Sequence, residues 1–291
     1  MDKRIILWIK NIFISLLNFL KRDKFACVGV LIYLVFIIIA ILAPVLAPYD
    51  PLEMVKENGK VMFNQIPSVK YLLGTTNMGR DIFSQLLFGA RPALIIGFSA
   101  AFIVMVVGTF IGLIAGYYRG KVGSILMRIT DIAFGIPFIP FIMVLVAFLG
   151  PSIWNIVFSM AILIWRDTAR VIRSQVLTLR ERNFVEAAKV SGASDLRIMF
   201  FYIMPNILPL SFLYGSLTMG WAILGEAALS FLGMGAQPPM AEWGLMLSEG
   251  RAFVYSHPHL TIIPGVFLAL YVLSVNLIGD GLRDTLDPRL K

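Results

Sequence analysis

The chain has 291 residues, of which 58% are hydrophobic and 14% charged, with a formal net charge of +8. A soluble domain carries about 25% charged residues. This composition therefore excludes an ordinary cytosolic enzyme, a disordered protein and a secreted disulfide scaffold, the last also because Cys27 is the only cysteine. What remains is an integral membrane protein whose positive charge comes from basic cytoplasmic loops rather than from nucleic-acid binding.

In residues 1–24, Asn11, Ser15, Asn18 and Arg22 fall on one helical stripe, with Trp8, Ile9, Phe13, Leu16 and Leu20 elsewhere. The pattern predicts an amphipathic helix lying on the inner leaflet; a cytosolic extension of the first span is the alternative. A signal peptide is not expected, because the stretch lacks a small-residue cleavage site and a full span follows. Cys27, at the edge of that span, reads as a small buried apolar residue.

Charge-free runs cover 25–49, 92–118, 132–165, 198–225, 227–241 and 252–279. Crossing the hydrocarbon takes about 20 apolar residues, so 25–49, 92–118 and 252–279 each fit one helix. The run 132–165 would extend roughly 51 Å as a single helix, too long for one span. Gly150-Pro151 divides it into 132–149 and 152–165, the second helix continuing past Arg166. The run 198–225 supplies one more span, expected to start near Pro205 or Pro209 because proline is tolerated in a first helical turn. Six spans result. Between the first two lies the outer loop 50–91, in which Ile82, Phe83, Leu86, Leu87 and Ala90 predict a short surface helix over 80–91.

Orientation follows from lysine and arginine. The segments 1–24, 119–131, 166–204 and 280–291 hold 19 of them against 6 in the other loops, which places both termini in the cytoplasm. The expected organisation is a cytoplasmic amphipathic helix (1–24), a first transmembrane helix (25–49) and an extracytoplasmic loop with a surface helix (50–91). A core of five transmembrane helices (92–280) and a cytoplasmic tail (281–291) follow.

Within the second span Gly108, Gly112 and Gly116 recur every four residues. That spacing lets another helix backbone approach closely, either within this chain or on a partner permease. Pro137, Pro140 and Pro264 predict kinks near the starts of the third and sixth spans. Glu226 interrupts a strongly apolar stretch. An acid there has either a structural hydrogen-bonding role or a role in gating or the pathway. Counted along a helix from Pro209, it falls near the outer headgroups.

The basic segment 166–204 is not disorder-like. Val171, Ile172, Val176 and Leu179 extend the fourth helix into the cytosol. Glu186–Ser191 then predicts a short helix, Gly192 its left-handed C-terminal cap, and Ser194 or Asp195 the N-cap of a helix over 196–204. Two helices joined by a tight glycine turn make a rigid knob, suited to mechanical coupling with a soluble partner.

The sequence EAAKVSGASDLRIMFFYIMP (186–205) resembles the EAA loop of type I ABC importer permeases. Glu186, Gly192 and Pro205 are in register; Tyr202 and Met204 replace the usual aliphatic residues. Segments 72–91, 225–247 and 276–290 are similar to the C-type subunit of the dipeptide/oligopeptide/nickel permease family, and the likeness runs from about residue 25 to near the end. The resemblance implies a type I importer membrane domain in a prokaryotic inner or plasma membrane. It also implies a heterodimer with a B-type permease subunit, two ATP-binding subunits and an extracytoplasmic solute-binding protein. Glu186, Ala187, Ala188, Ser191, Gly192, Ala193 and Asp195 would then couple the chain to an ATPase subunit.

The chain has no phosphate-binding Gly-Lys-Thr/Ser loop. ATP and Mg would therefore be bound by the partner ATPases, and no cofactor is expected here. Catalytic or metal-spaced clusters are not visible in the sequence, and His257 and His259 fit interfacial packing better than a metal pair. Peptides are the expected cargo, with oligosaccharides or nickel complexes as alternatives. A secondary transporter or channel would need ionisable residues near the bilayer midplane and paired broken spans. An intramembrane enzyme would need a catalytic constellation.

Overall fold

The computed structural model describes residues 23–286; the expected surface helix before residue 23 and the last five residues of the tail lie outside them. Helix α1, Lys24–Leu46, starts where the Asp23 carboxylate accepts the backbone N–H groups of Phe25 and Ala26 at 2.8 and 3.2 Å. Cys27 is half-buried near this end. A two-stranded antiparallel hairpin follows, β1 (Lys56–Glu57) and β2 (Lys60–Val61). Asn58 and Gly59 turn it with φ of 48° and 77°, the positive values that an Asn-Gly turn supplies. The hairpin was not expected from the mixed polar composition of this loop.

Helix α2, Ile82–Tyr117, has 36 residues and is unbroken. Sequence reasoning divides it into a surface helix and a span; the structure joins the two. The apolar face of its first turns meets protein instead of lipid, with Ile82, Leu86 and Ala90 all buried. Arg91 donates its Nε–H to the Ala40 carbonyl at 2.7 Å and lies over the Phe88 ring. Neither this charge nor Pro92 ends the helix.

Helices α3 (Lys121–Gly135) and α4 (Phe138–Leu149) are bent by 88° at Ile136-Pro137. Gly150 turns the chain at φ 90° into α5, Ile153–Arg180. After α6 (Asn183–Val190) comes α7, Asp195–Phe231, then α8 (Trp243–Gly250) and α9 (His259–Leu286). Helix α7 begins at Asp195, so the short helix expected over 196–204 and the span expected to start near Pro205 or Pro209 are one element. A π turn over Ile198–Ile203 makes this possible, with the Met204 N–H reaching back to the Met199 carbonyl. Widening the helix here relieves the clash and the missing N–H that Pro205 would otherwise impose on a regular turn.

The fold is thus an all-helical membrane protein. Among the described residues four helices (α1, α2, α7 and α9) are long and apolar enough to cross a membrane, or five spans result with α3 and α4 taken as one bent span. Two cores hold them. The larger gathers Phe36, Ile96, Ile142, Met160, Trp243 and Tyr271 from α1, α2, α4, α5, α8 and α9. The smaller joins Leu113 and Tyr117 of α2 to Ile172 and Val176 of α5, to Val185 and Ala188 of α6, and to the start of α7.

Candidate functional site

The turn between α6 and α7 is closed by its own backbone. Gly192 has φ 79°; its N–H donates to the Lys189 carbonyl at 2.9 Å and the Ala193 N–H to the Ala188 carbonyl at 3.0 Å. This pair of bonds is the Schellman cap. Ser194 then caps α7, its hydroxyl accepting the Arg197 N–H at 3.4 Å. Val185 and Ala188 point inward and are buried, whereas Glu186, Ala187, Ser191, Gly192 and Asp195 are exposed and Ala193 is half-buried. Asp195 accepts a hydrogen bond from the Tyr117 hydroxyl at 2.6 Å. Arg180 donates to the Tyr117 carbonyl and Arg119 pairs with Glu181. The turn is therefore fastened to the ends of α2 and α5, while Val190 (89% exposed) and Leu196 (63%) stand apolar on its outside.

The glycine stripe lies along the same two helices. A Cβ at Gly108 would come 2.7 Å from Thr168 Cβ, one at Gly112 2.6 Å from the Ala169 carbonyl oxygen, and one at Gly116 2.6 Å from Val176 Cβ. The partner surface in this geometry is α5 of the same chain.

Helix α5 carries charge at its centre. Arg166 donates Nη1–H to the Ala133 carbonyl, and to Ile136 at 3.5 Å, while its guanidinium lies 4.8 Å from the centre of the Phe134 ring. Arg170 lies 3.9 Å over the same ring and pairs with Asp131 at 2.8 Å. Arg166 thus supplies donors to carbonyls at the bend after α3, and Arg170 braces the same segment through Asp131. Sequence reasoning counted Arg166 and Arg170 only as loop charges. The signal available was an arginine four residues from another, following a Gly-Ile-Pro break by one hairpin.

Glu226 is completely buried and takes the Ser230 hydroxyl at 2.6 Å; Ser230 in turn accepts the Ala236 N–H at 2.9 Å. The 232–243 loop and α8 fold over this end of α7 and cover the side chain with protein. Glu242, not singled out by the sequence, is 2% exposed and caps α8 by accepting the Gly244 and Leu245 N–H groups, each at 2.7 Å. His257 and His259 meet edge to face with ring centres 6.0 Å apart, and no group of metal-ligating side chains is found among the described residues. The capped-turn residues and the glycine stripe thus share one end of the molecule, and Glu226 belongs to the other.

These features define a class: a multi-pass membrane protein whose helices are braced around a capped turn. Comparison then gives the family. The chain belongs to the binding-protein-dependent transport system inner membrane components, whose family model matches residues 108–291. Residues 16–67 match the N-terminal transmembrane domain of oligopeptide transport permease C. The chain is 44% identical over 272 residues to the dipeptide transport system permease protein DppC of Alkalihalophilus pseudofirmus, covering 94% of this chain and 88% of that one. It is 40% identical over 274 residues to the glutathione transport system permease protein GsiD of Pectobacterium atrosepticum (94% and 90% covered). To the di/tripeptide transport system permease protein DppC of Pseudomonas aeruginosa it is 38% identical over 277 residues (93% and 90%).

Proposed function

We propose that this chain is the C-type permease subunit of an ATP-driven peptide importer. In this reading it forms half of the translocation pathway beside a B-type subunit and receives cargo from an extracytoplasmic solute-binding protein. It couples to two ATPase subunits, which bind ATP and Mg, through the α6–α7 turn. The six-span topology with cytoplasmic termini is part of the proposal, with α5 as the span whose charged centre is satisfied by the bend after α3. Peptide cargo is supported by the names of the relatives, which are dipeptide, di/tripeptide and glutathione permeases.

The observation that carries the coupling role is the combination of rigidity and exposure in the turn. Its backbone is closed by the cap, its inner face is packed on α2 and α5, and Val190 and Leu196 are left for a partner. A movement of the partner would pass through Asp195 and Tyr117 into α2, and through Val185 and Ala188 into α5. The test is Gly192→Val in the assembled transporter. A Cβ there meets nothing within 4 Å, so the substitution acts through φ alone, at roughly 1–3 kcal/mol of strain. Solute-stimulated ATPase activity and uptake should fall severalfold while membrane insertion persists. Unchanged uptake in both Gly192→Val and Glu186→Lys would remove the turn from the coupling path.

A further inference from the structure

Between α4, α5 and α7 lies a cleft of about 470 Å³, a size common for small-ligand sites. Its walls include Phe138, Asp167, Tyr214, Thr218 and Trp221. Asp167 is near the middle of α5, fourteen residues from Ile153 and thirteen from Arg180 by position. Its side chain is 64% exposed, and its nearest cation is the neighbouring Arg166 Nε at 3.9 Å. That guanidinium is already engaged: it donates to the carbonyls of Ala133 and Ile136 and is only 15% exposed. The cleft therefore presents an exposed carboxylate beside a largely buried guanidinium that also lines it and whose Nη1 is committed to the carbonyls of the bend.

Asp167 is an exposed carboxylate in a cleft whose other walls are largely aromatic and aliphatic, where it can meet a cation. The aromatic walls select the cation. Trp221, on the wall of the same cleft, is 74% exposed, and aromatic faces attract ammonium groups. The Thr218 hydroxyl spends its proton on the Tyr214 carbonyl at 2.7 Å, leaving its lone pairs to accept an N–H. Carboxylate, hydroxyl lone pairs and ring faces together suit a primary ammonium group.

We propose that this cleft is a subsite on the transport path for the free amino terminus of the cargo, with Asp167 as its counter-ion and Trp221 and Tyr214 as its aromatic walls. The inference rests on the peptide-import reading and adds to it a site and a chemical group. A concave site of this volume favours a small ligand over the side chain of a partner subunit as occupant.

The test uses the assembled transporter in lipid nanodiscs. Carbodiimide-driven coupling of a labelled dialanine amide, mapped by mass spectrometry, should modify Asp167. Excess unlabelled dialanine should suppress that modification about tenfold, the weight of one charge-assisted contact, and N-acetyl-dialanine should not. Equal protection by both peptides, or no modification of Asp167, overturns the proposal. In proteoliposomes, the uptake ratio of free to N-acetylated dipeptide should fall about tenfold from wild type to Asp167→Asn and be kept by Asp167→Glu. Selectivity of the solute-binding protein is common to all three and cancels. An unchanged ratio overturns the proposal, as does dissociation of the two permease subunits by Asp167→Asn, which would assign the acid to a partner's cation. If the wild type imports neither peptide while dialanine alone still protects Asp167, the ammonium site stands and the peptide-import reading falls.

Discussion

Helix α2 is packed closely at both ends, but by different means. Toward α6 and the capped turn, Gly108, Gly112 and Gly116 accept the backbone and β-branched side chains of one helix, α5, running beside them. Toward α8, Gly89 faces a single large ring: a Cβ there would lie 2.6 Å from Trp243 Nε1, whose N–H donates to the Leu86 carbonyl at 3.1 Å. Gly97 similarly faces the Tyr271 hydroxyl at 2.5 Å. Trp243 also stacks against Phe36, Phe267 and Tyr271 at centroid distances of 5.4–6.1 Å. Two long helices in contact demand small residues at every turn. A ring wedged against a helix demands one, wherever the ring falls.

The two arrangements should break differently. Trp243→Ala empties a fully buried site, removes the hydrogen bond to the Leu86 carbonyl and removes the ring shared by α1, α2 and α9. The expected loss is about 3–5 kcal/mol, seen as a large fall in thermal stability of the detergent-solubilised chain. Gly112→Leu overfills the other arrangement, with its Cβ already within 2.7 Å of Ile172 Cβ. The cost should be about 1–3 kcal/mol, smaller because α5 has room to shift as one body. With the stripe seated on α5, the fall should be the same with and without the partner permease. If Gly112→Leu instead spares the isolated chain and splits the heterodimer, the stripe belongs to the partner; if it changes neither stability, assembly nor transport, the stripe faces lipid.

The same contrast explains what was legible. The period of four in the glycine stripe and the Gly192 cap are written in consecutive residues, because each is a local backbone solution. The positive φ of Gly192 and the capping hydroxyl of Ser194 follow from residue type alone. Gly89 and Trp243 are 154 positions apart, and nothing near either announces the other. The unbroken α2 escaped for the same reason: the apolar face of 82–90 is covered by α8, an element that sequence places in a distant loop. Arg166 and Glu242 were missed because each caps a helix end, one of them thirty residues away, where a charged residue ordinarily marks a loop. The π turn before Pro205 depends on how two flanking segments are anchored, and composition carries no trace of it.

Carboxyl groups at the two ends sharpen the comparison with the smallest effect. Asp195, at the capped turn, is exposed and takes the Tyr117 hydroxyl at 2.6 Å. Glu249, at the end of α8, is half-buried and its Oε1 has no hydrogen-bond partner. Burial raises its pKa above the ordinary 4.5, and the charge of Arg80 offsets this only in part. The folded chain therefore binds this proton more tightly than the unfolded one. Between 4.5 and the raised value the unfolded state holds fewer protons, so stability falls as pH rises through that window. The contribution is fully present below 4.5, where both states are protonated. Glu249→Gln imitates the protonated form. It should raise stability near neutral pH by about 0.5–1 kcal/mol, the scale of one polar group, and the gain should vanish near about pH 4. Thermal unfolding of wild type and variant at the two pH values measures the difference. A gain of equal size at both would mean that the side chain's shape matters and its charge does not, and a loss at neutral pH would mean that attraction to Arg80 outweighs burial.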